Sequence, residues 1–146
     1  MIPKIIYSLF FFILGGFLGN NFLGDFNNPI NLVIYGALII VFFIFNFLII
    51  TKSSLIEQNE RVKNEMFIQR IKHAMYLLRY DIIVYDFIYI LLITPYIIWN
   101  YVNGFNFGYA IEFTTFGYAL MMIFTYRHLI RFEKDLNKAI DKELEK

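Results

Sequence analysis

Uncharged apolar stretches alternate with short polar ones along this chain. No charged residue occurs in 5–24, 26–51, 87–111 or 113–126. A helix needs about 20 apolar residues to cross the hydrocarbon of a bilayer. The first three stretches meet that length, and the fourth reaches it as Phe107–Tyr126 if Glu112 is tolerated within the span. The pattern predicts an all-α integral membrane protein with four transmembrane helices, at about 5–23, 30–51, 82–102 and 107–127, in a single domain covering 1–146. Asn28-Pro29 suits the start of the second span, Asn as N-cap and Pro at the first helical position. Asn103-Gly104 is a turn dipeptide, and so short a link makes the third and fourth spans antiparallel neighbours.

Between spans two and three the period changes. Ser54-x-x-Glu57 is a capping-box pattern, which predicts a new helix starting near Ser54. Phe67, Ile71, Ala74, Met75, Leu78 and Ile82 recur at helical spacing and run into the third span, so one long helix is expected from about 60 to 102. After the fourth span, Leu129, Phe132, Leu136 and Ala139 carry the same rhythm with charged residues between. Helical cytoplasmic segments are therefore expected at about 54–80 and 128–146.

Composition adds weight to the membrane class. The chain is 59% hydrophobic and holds 18 Phe in 146 residues, more than a small water-soluble core can bury. The basic residues then set the orientation. Lys4 precedes the first span, Lys52, Arg61, Lys63, Arg70, Lys72 and Arg79 lie between spans two and three, and Arg127, Arg131, Lys134, Lys138, Lys142 and Lys146 follow span four. These are all 13 Lys and Arg of the chain. The outer loops, "GDFNNP" and "NGFN", have none, so both termini are expected in the cytoplasm of a bacterial cell, with the chain multi-pass in the inner membrane. Tyr96, Trp99, Tyr101, Phe105 and Tyr109 cluster at the outer turn, where amphipathic rings favour the interface. Lys4 followed by an apolar run also fits a signal sequence, but the run is longer than a usual signal core and "GFLGNNFLG" offers no small-x-small cleavage pattern.

Candidate chemistry sits inside the spans. Phe107-Gly-Tyr-Ala returns as Phe116-Gly-Tyr-Ala nine residues later, so the two copies face opposite ways. At 100° per residue Gly108, Glu112, Thr115, Ala119 and Tyr126 share one face, and Ala110, Thr114 and Gly117 the other. Small residues let helix backbones approach in lipid, and Gly15 and Gly19 form a GxxxG in span one. Gly15, Gly19, Gly108 and Gly117 are thus candidate packing positions, and two such faces on span four point to a homo-oligomer. Glu112 with Thr115 lies near the depth of Thr94-Pro95, where a proline frees a backbone carbonyl one turn earlier. Asp86 and Asn46 form a second polar level, with Arg127 or His128 as an expected partner for Asp86. Glu112 is either a neutral acid packed against Thr or Tyr, or a group that handles ions or protons.

Enzyme chemistry finds no support. There are two His, no Cys and no Gly-rich phosphate loop, and no cofactor, metal or nucleic acid is expected. The basic residues Arg61, Lys63, Arg70, Lys72 and Arg79 offer a surface for a cytoplasmic protein partner, or rest on the membrane with Lys and Arg snorkelling. "LGGFLGNN" and "FTTF" at 113–116 resemble fragments of the fluoride channel family. In that family the Phe-Thr segment belongs to the third span and chains insert in both orientations. Here the segment is in the fourth span, and the charge bias opposes dual insertion. Four spans with one membrane carboxylate are similar to the small multidrug resistance family, which places its Glu in span one. Small four-span proteins also occur in phage-defence and immunity modules, an analogy of size and topology. The expected function is a non-enzymatic, oligomeric sensor, anchor or effector subunit of the inner membrane. The alternatives are a small channel or pore, or a proton-coupled transporter using Glu112.

Overall fold

The computed structural model describes residues 2–22, 29–102 and 110–145. Four α-helices make up the fold, α1 (Ile2–Phe22), α2 (Pro29–Glu57), α3 (Glu65–Val102) and α4 (Ala110–Leu144), and no strand occurs among the described residues. At about 1.5 Å per residue, the 38 residues of α3 and the 35 of α4 far exceed a bilayer's hydrocarbon thickness. Each of these two helices therefore has an apolar half and a charged half. Among the described residues, one segment, Val33–Glu57, is long and apolar enough to cross a membrane, and a shorter apolar segment, Ile6–Gly15, lies in α1.

α4 is the central helix, packing against α1 and α2 extensively and against α3 more lightly. Its sequence explains the position. Thr115, Gly117, Tyr118 and Ala119 are all buried, so consecutive residues pointing in several directions meet protein. Gly117 makes the tightest approach. A Cβ placed on it would stand 2.2 Å from the Phe11 carbonyl oxygen, and 3.4 Å from the Gly15 Cα. The α1 and α4 backbones touch where each lacks a side chain, as small residues allow.

One hydrophobic cluster runs the length of the bundle. In the apolar half it is aromatic: Phe42 stacks on Tyr89 at 4.9 Å between ring centroids, and Tyr89 on Tyr118 at 5.2 Å. In the charged half, Ile56, Val62, Ile71, Met75, Leu129, Leu136 and Ile140 close a smaller core. Ion pairs brace it from outside. Lys52 of α2 meets Glu133 of α4 at 2.7 Å, Arg79 of α3 meets Glu57 of α2 at 2.6 Å, and Arg61 in the α2–α3 turn pairs with Asp141 of α4.

Three local expectations change. No helix begins at Ser54, because α2 runs through it to Glu57. Ser54 Oγ donates to the Ile50 carbonyl (3.2 Å) and Ser53 Oγ to the same oxygen (2.8 Å), so both hydroxyls back-bond within a continuing helix instead of capping a new one. The next helix is capped ten residues later. Asn64 Oδ1 accepts from the Met66 and Phe67 amides (3.1 and 3.3 Å) and caps α3. In α4 the inward stripe is Leu129, Leu136 and Ile140, while Phe132 and Ala139 are exposed. The neighbours of α4 lie to one side of the stripe that hydrophobicity alone picks out.

Candidate functional site

The two polar levels expected in the spans sort into two different hydrogen-bonded pairs. Thr115 is fully buried, and its hydroxyl lies 2.8 Å from that of Tyr89 on α3. Either oxygen can donate. Tyr89 reaches α4 because it sits one turn beyond Tyr85 on the same face of α3. Both are buried, although tyrosines in an apolar helix read as interface anchors or packing residues. A Tyr85/Tyr89 pair at i, i+4 was the available signal that α3 turns phenols inward.

The second pair is Asn46 with Asp86. Asn46 Nδ2 donates to Asp86 Oδ1 at 3.0 Å, joining α2 to α3. Asp86 therefore meets a neutral amide and not the cation expected at the foot of span four. Arg127 and His128 are exposed, and no ion pair of Asp86 occurs among the described residues. The reason is directional: Asp86 lies on the face of α3 that packs on α2, whereas Arg127 leaves α4 on its outer side. Asn46 Oδ1, Ser8 Oγ and the Tyr118 hydroxyl are buried without a hydrogen-bond partner among the described residues. Ser8 Oγ and the Tyr118 hydroxyl interact, at a geometry short of a hydrogen bond. Ser8, Asn46, Asp86, Tyr89, Thr115 and Tyr118 thus bring one or two polar groups from each helix into the same aromatic interior.

Thr94 and Pro95 are exposed, and α3 continues through Pro95 to Val102. The structure does not bring Thr94 to Thr115; Ile93 is the buried residue of that turn. Glu112 belongs to the first turn of α4, and its side chain lies outside what the structure describes, as do the surroundings of Gly19. Gly108 lies outside them altogether. Gly15 and Gly117 meet at the α1–α4 contact.

The basic residues divide just as sharply. Arg61 and Arg79 are held in the ion pairs that brace the charged half, and Arg79 Nη1 also donates to Ser54 Oγ at 3.3 Å. Lys63, Arg70 and Lys72 are exposed. So are Arg127, Arg131, Lys134, Lys138 and Lys142, five residues of α4. Where the two halves meet, a cavity of about 350 Å³ opens beside Tyr7, Asp81, Tyr85, Thr125 and His128, with Met75, Leu78 and Leu129 among its apolar walls.

No group of three or more His, Cys, Asp or Glu that could hold a metal ion occurs among the described residues. No protein-family model, curated protein or solved structure matches this chain.

Proposed function

We propose that this chain is a multi-pass protein of a bacterial inner membrane, with both termini and the 52–80 segment in the cytoplasm. Its charged half is then a short stalk through which it docks a cytoplasmic protein. It acts as a sensor, anchor or effector subunit with no chemistry of its own, and more than one copy assembles in the bilayer. The observation that carries the membrane reading is the outward face of the apolar half. Phe17 is 67% exposed, Val33 72%, Phe47 69% and Phe87 60%, and Ile6, Ile13, Phe43, Ile90 and Leu91 are also exposed. These residues come from α1, α2 and α3. A water-soluble monomer rarely exposes a contiguous apolar patch beyond a few hundred Å², and a belt of this kind suits hydrocarbon. Among the described residues, the ion pairs Lys52–Glu133, Arg79–Glu57 and Arg61–Asp141 all lie in the other half.

Support for the stalk as the working part is that its elements pack together: Ile56, Val62, Ile71, Leu129, Leu136 and Ile140 are buried there, and three ion pairs among the described residues join its segments. The same features leave little room for a pore within one chain, because Phe42, Tyr89, Tyr118, Met121 and Met122 fill the interior at the level of the spans. A second reading, proton or ion handling, draws on the Asn46–Asp86 pair and the buried Ser8 and Tyr118 hydroxyls. Those groups offer polar contacts in an otherwise apolar interior.

Single cysteines placed at 26, 104, 65 and 140 test the topology with an impermeant thiol reagent on intact cells. Labelling at 26 and 104 alone is the expected result. Labelling at 65 or 140 without 104 reverses the orientation and removes the cytoplasmic docking role.

A further inference from the structure

The exposed basic residues of α4 are not scattered. Arg127, Arg131, Lys134, Lys138 and Lys142 follow one another at steps of four, three, four and four. At 100° per residue they fall within an arc of about 80°, over a length of about 22 Å. Leu129, Leu136 and Ile140 occupy the opposite side and face the core. Two acids of the same helix are used differently. Glu133 and Asp141 are bound by Lys52 and Arg61 of the neighbouring segments. None of the five basic side chains forms an ion pair among the described residues. Folding thus commits acidic groups of α4 to internal bracing and leaves a cationic stripe facing solvent.

We infer that this α4 stripe, and not the basic residues of 52–80, is the docking surface, and that its partner is an acidic helical segment of a cytoplasmic protein. The inference rests on the reading that α4 crosses the bilayer and continues into the cytoplasm. Charge complementarity selects the class of partner. Spacing of three and four residues is matched by carboxylates repeating at the same spacing on a helix laid alongside. An anionic lipid surface fits poorly. If Arg127 marks the membrane boundary and α4 runs along the membrane normal, Lys142 stands about 22 Å beyond it, nearly three times the roughly 8 Å over which charge acts at physiological salt. A nucleic-acid backbone is a second anionic partner, and the oligothymidine arm of the test below separates it from an acidic helix. A second copy of the same stripe repels the first.

The test uses the full chain in nanodiscs of neutral phosphatidylcholine. The probe is a fluorescent helical peptide with glutamates on one face at the matching spacing. Expected are binding that weakens as salt rises, and affinity about tenfold lower for Arg131→Glu with Lys138→Glu. Arg131→Gln with Lys138→Gln falls between. Arg70→Glu with Lys72→Glu, the same charge change on α3, leaves affinity within about twofold. Absence of binding overturns the inference. So does equal loss in the α3 and α4 variants, or tighter binding of a scrambled peptide or of an oligothymidine strand. A chain that does not enter nanodiscs refutes the membrane reading instead, which separates the two failures.

Discussion

The backbone of Gly117 in α4 rests against the carbonyl of Phe11 in α1, so closely that a Cβ at Gly117 would come within 2.2 Å of that oxygen. A backbone oxygen cannot swing away as a side chain does, so the helices themselves must separate. Gly117→Ala is expected to destabilise the chain by about 3 kcal/mol, the upper end of the usual overpacking range, and Gly117→Leu to prevent folding. Gly36 in α2 is the control, since nothing lies within 4 Å of its Cβ position. Gly36→Ala is expected to be neutral or to stabilise by up to about 1 kcal/mol through helix propensity. Thermal unfolding in detergent reads both. Equal effects of the two alanines would contradict the α1–α4 contact.

Tyr89 and Thr115 share one buried hydrogen bond. Tyr89→Phe or Thr115→Val each leaves a buried hydroxyl without its partner, at a cost of about 1–3 kcal/mol. The double variant is expected to cost less than the two singles together. Interhelical hydrogen bonds in membranes show coupling averaging ~0.6 and reaching ~1.7 kcal/mol. A double-mutant cycle on unfolding free energy that gives strict additivity would remove this bond from the account.

The Lys52–Glu133 contact, at 2.7 Å with both side chains 29% exposed, predicts a charge-swap pattern. Glu133→Lys sets two cations side by side and is expected to lower stability by about 1 kcal/mol. Adding Lys52→Glu restores most of the loss, because the pair is rebuilt with its signs exchanged. The penalty shrinks as salt rises. Unfolding midpoints of the three variants at low and high salt check each step.

Glu112 separates the docking and ion-handling readings. Glu112→Gln keeps the shape and much of the hydrogen bonding of a neutral acid but gives up the proton. A docking subunit is expected to retain stability, assembly and peptide binding in this variant. An ion- or proton-handling protein would lose conductance or its cell phenotype while remaining folded. Conductance, cellular phenotype and thermal unfolding are measured side by side.

The absence of charge through four stretches and the placement of all 13 Lys and Arg outside them are properties of the linear chain. Hydrophobic period and charge count need no knowledge of neighbours, so the all-α class and approximate helix limits follow from them. Which groups meet was decided by packing. Ser54 begins a capping box by spelling, yet Ile50 one turn earlier already accepts its hydroxyl, and α2 continues. Arg127 and His128 are the expected partners of Asp86, yet its side of α3 faces Asn46. Arg61 and Arg79 look as free in the sequence as Arg70, but Asp141 and Glu57 come from other elements and claim them. The basic stripe on α4 is written in its spacing. Only the tertiary structure shows that its acidic neighbours Glu133 and Asp141 are drawn into ion pairs with other segments. Ion pairing is a property of two surfaces brought within a few ångströms, and helical period alone does not say which surfaces those are.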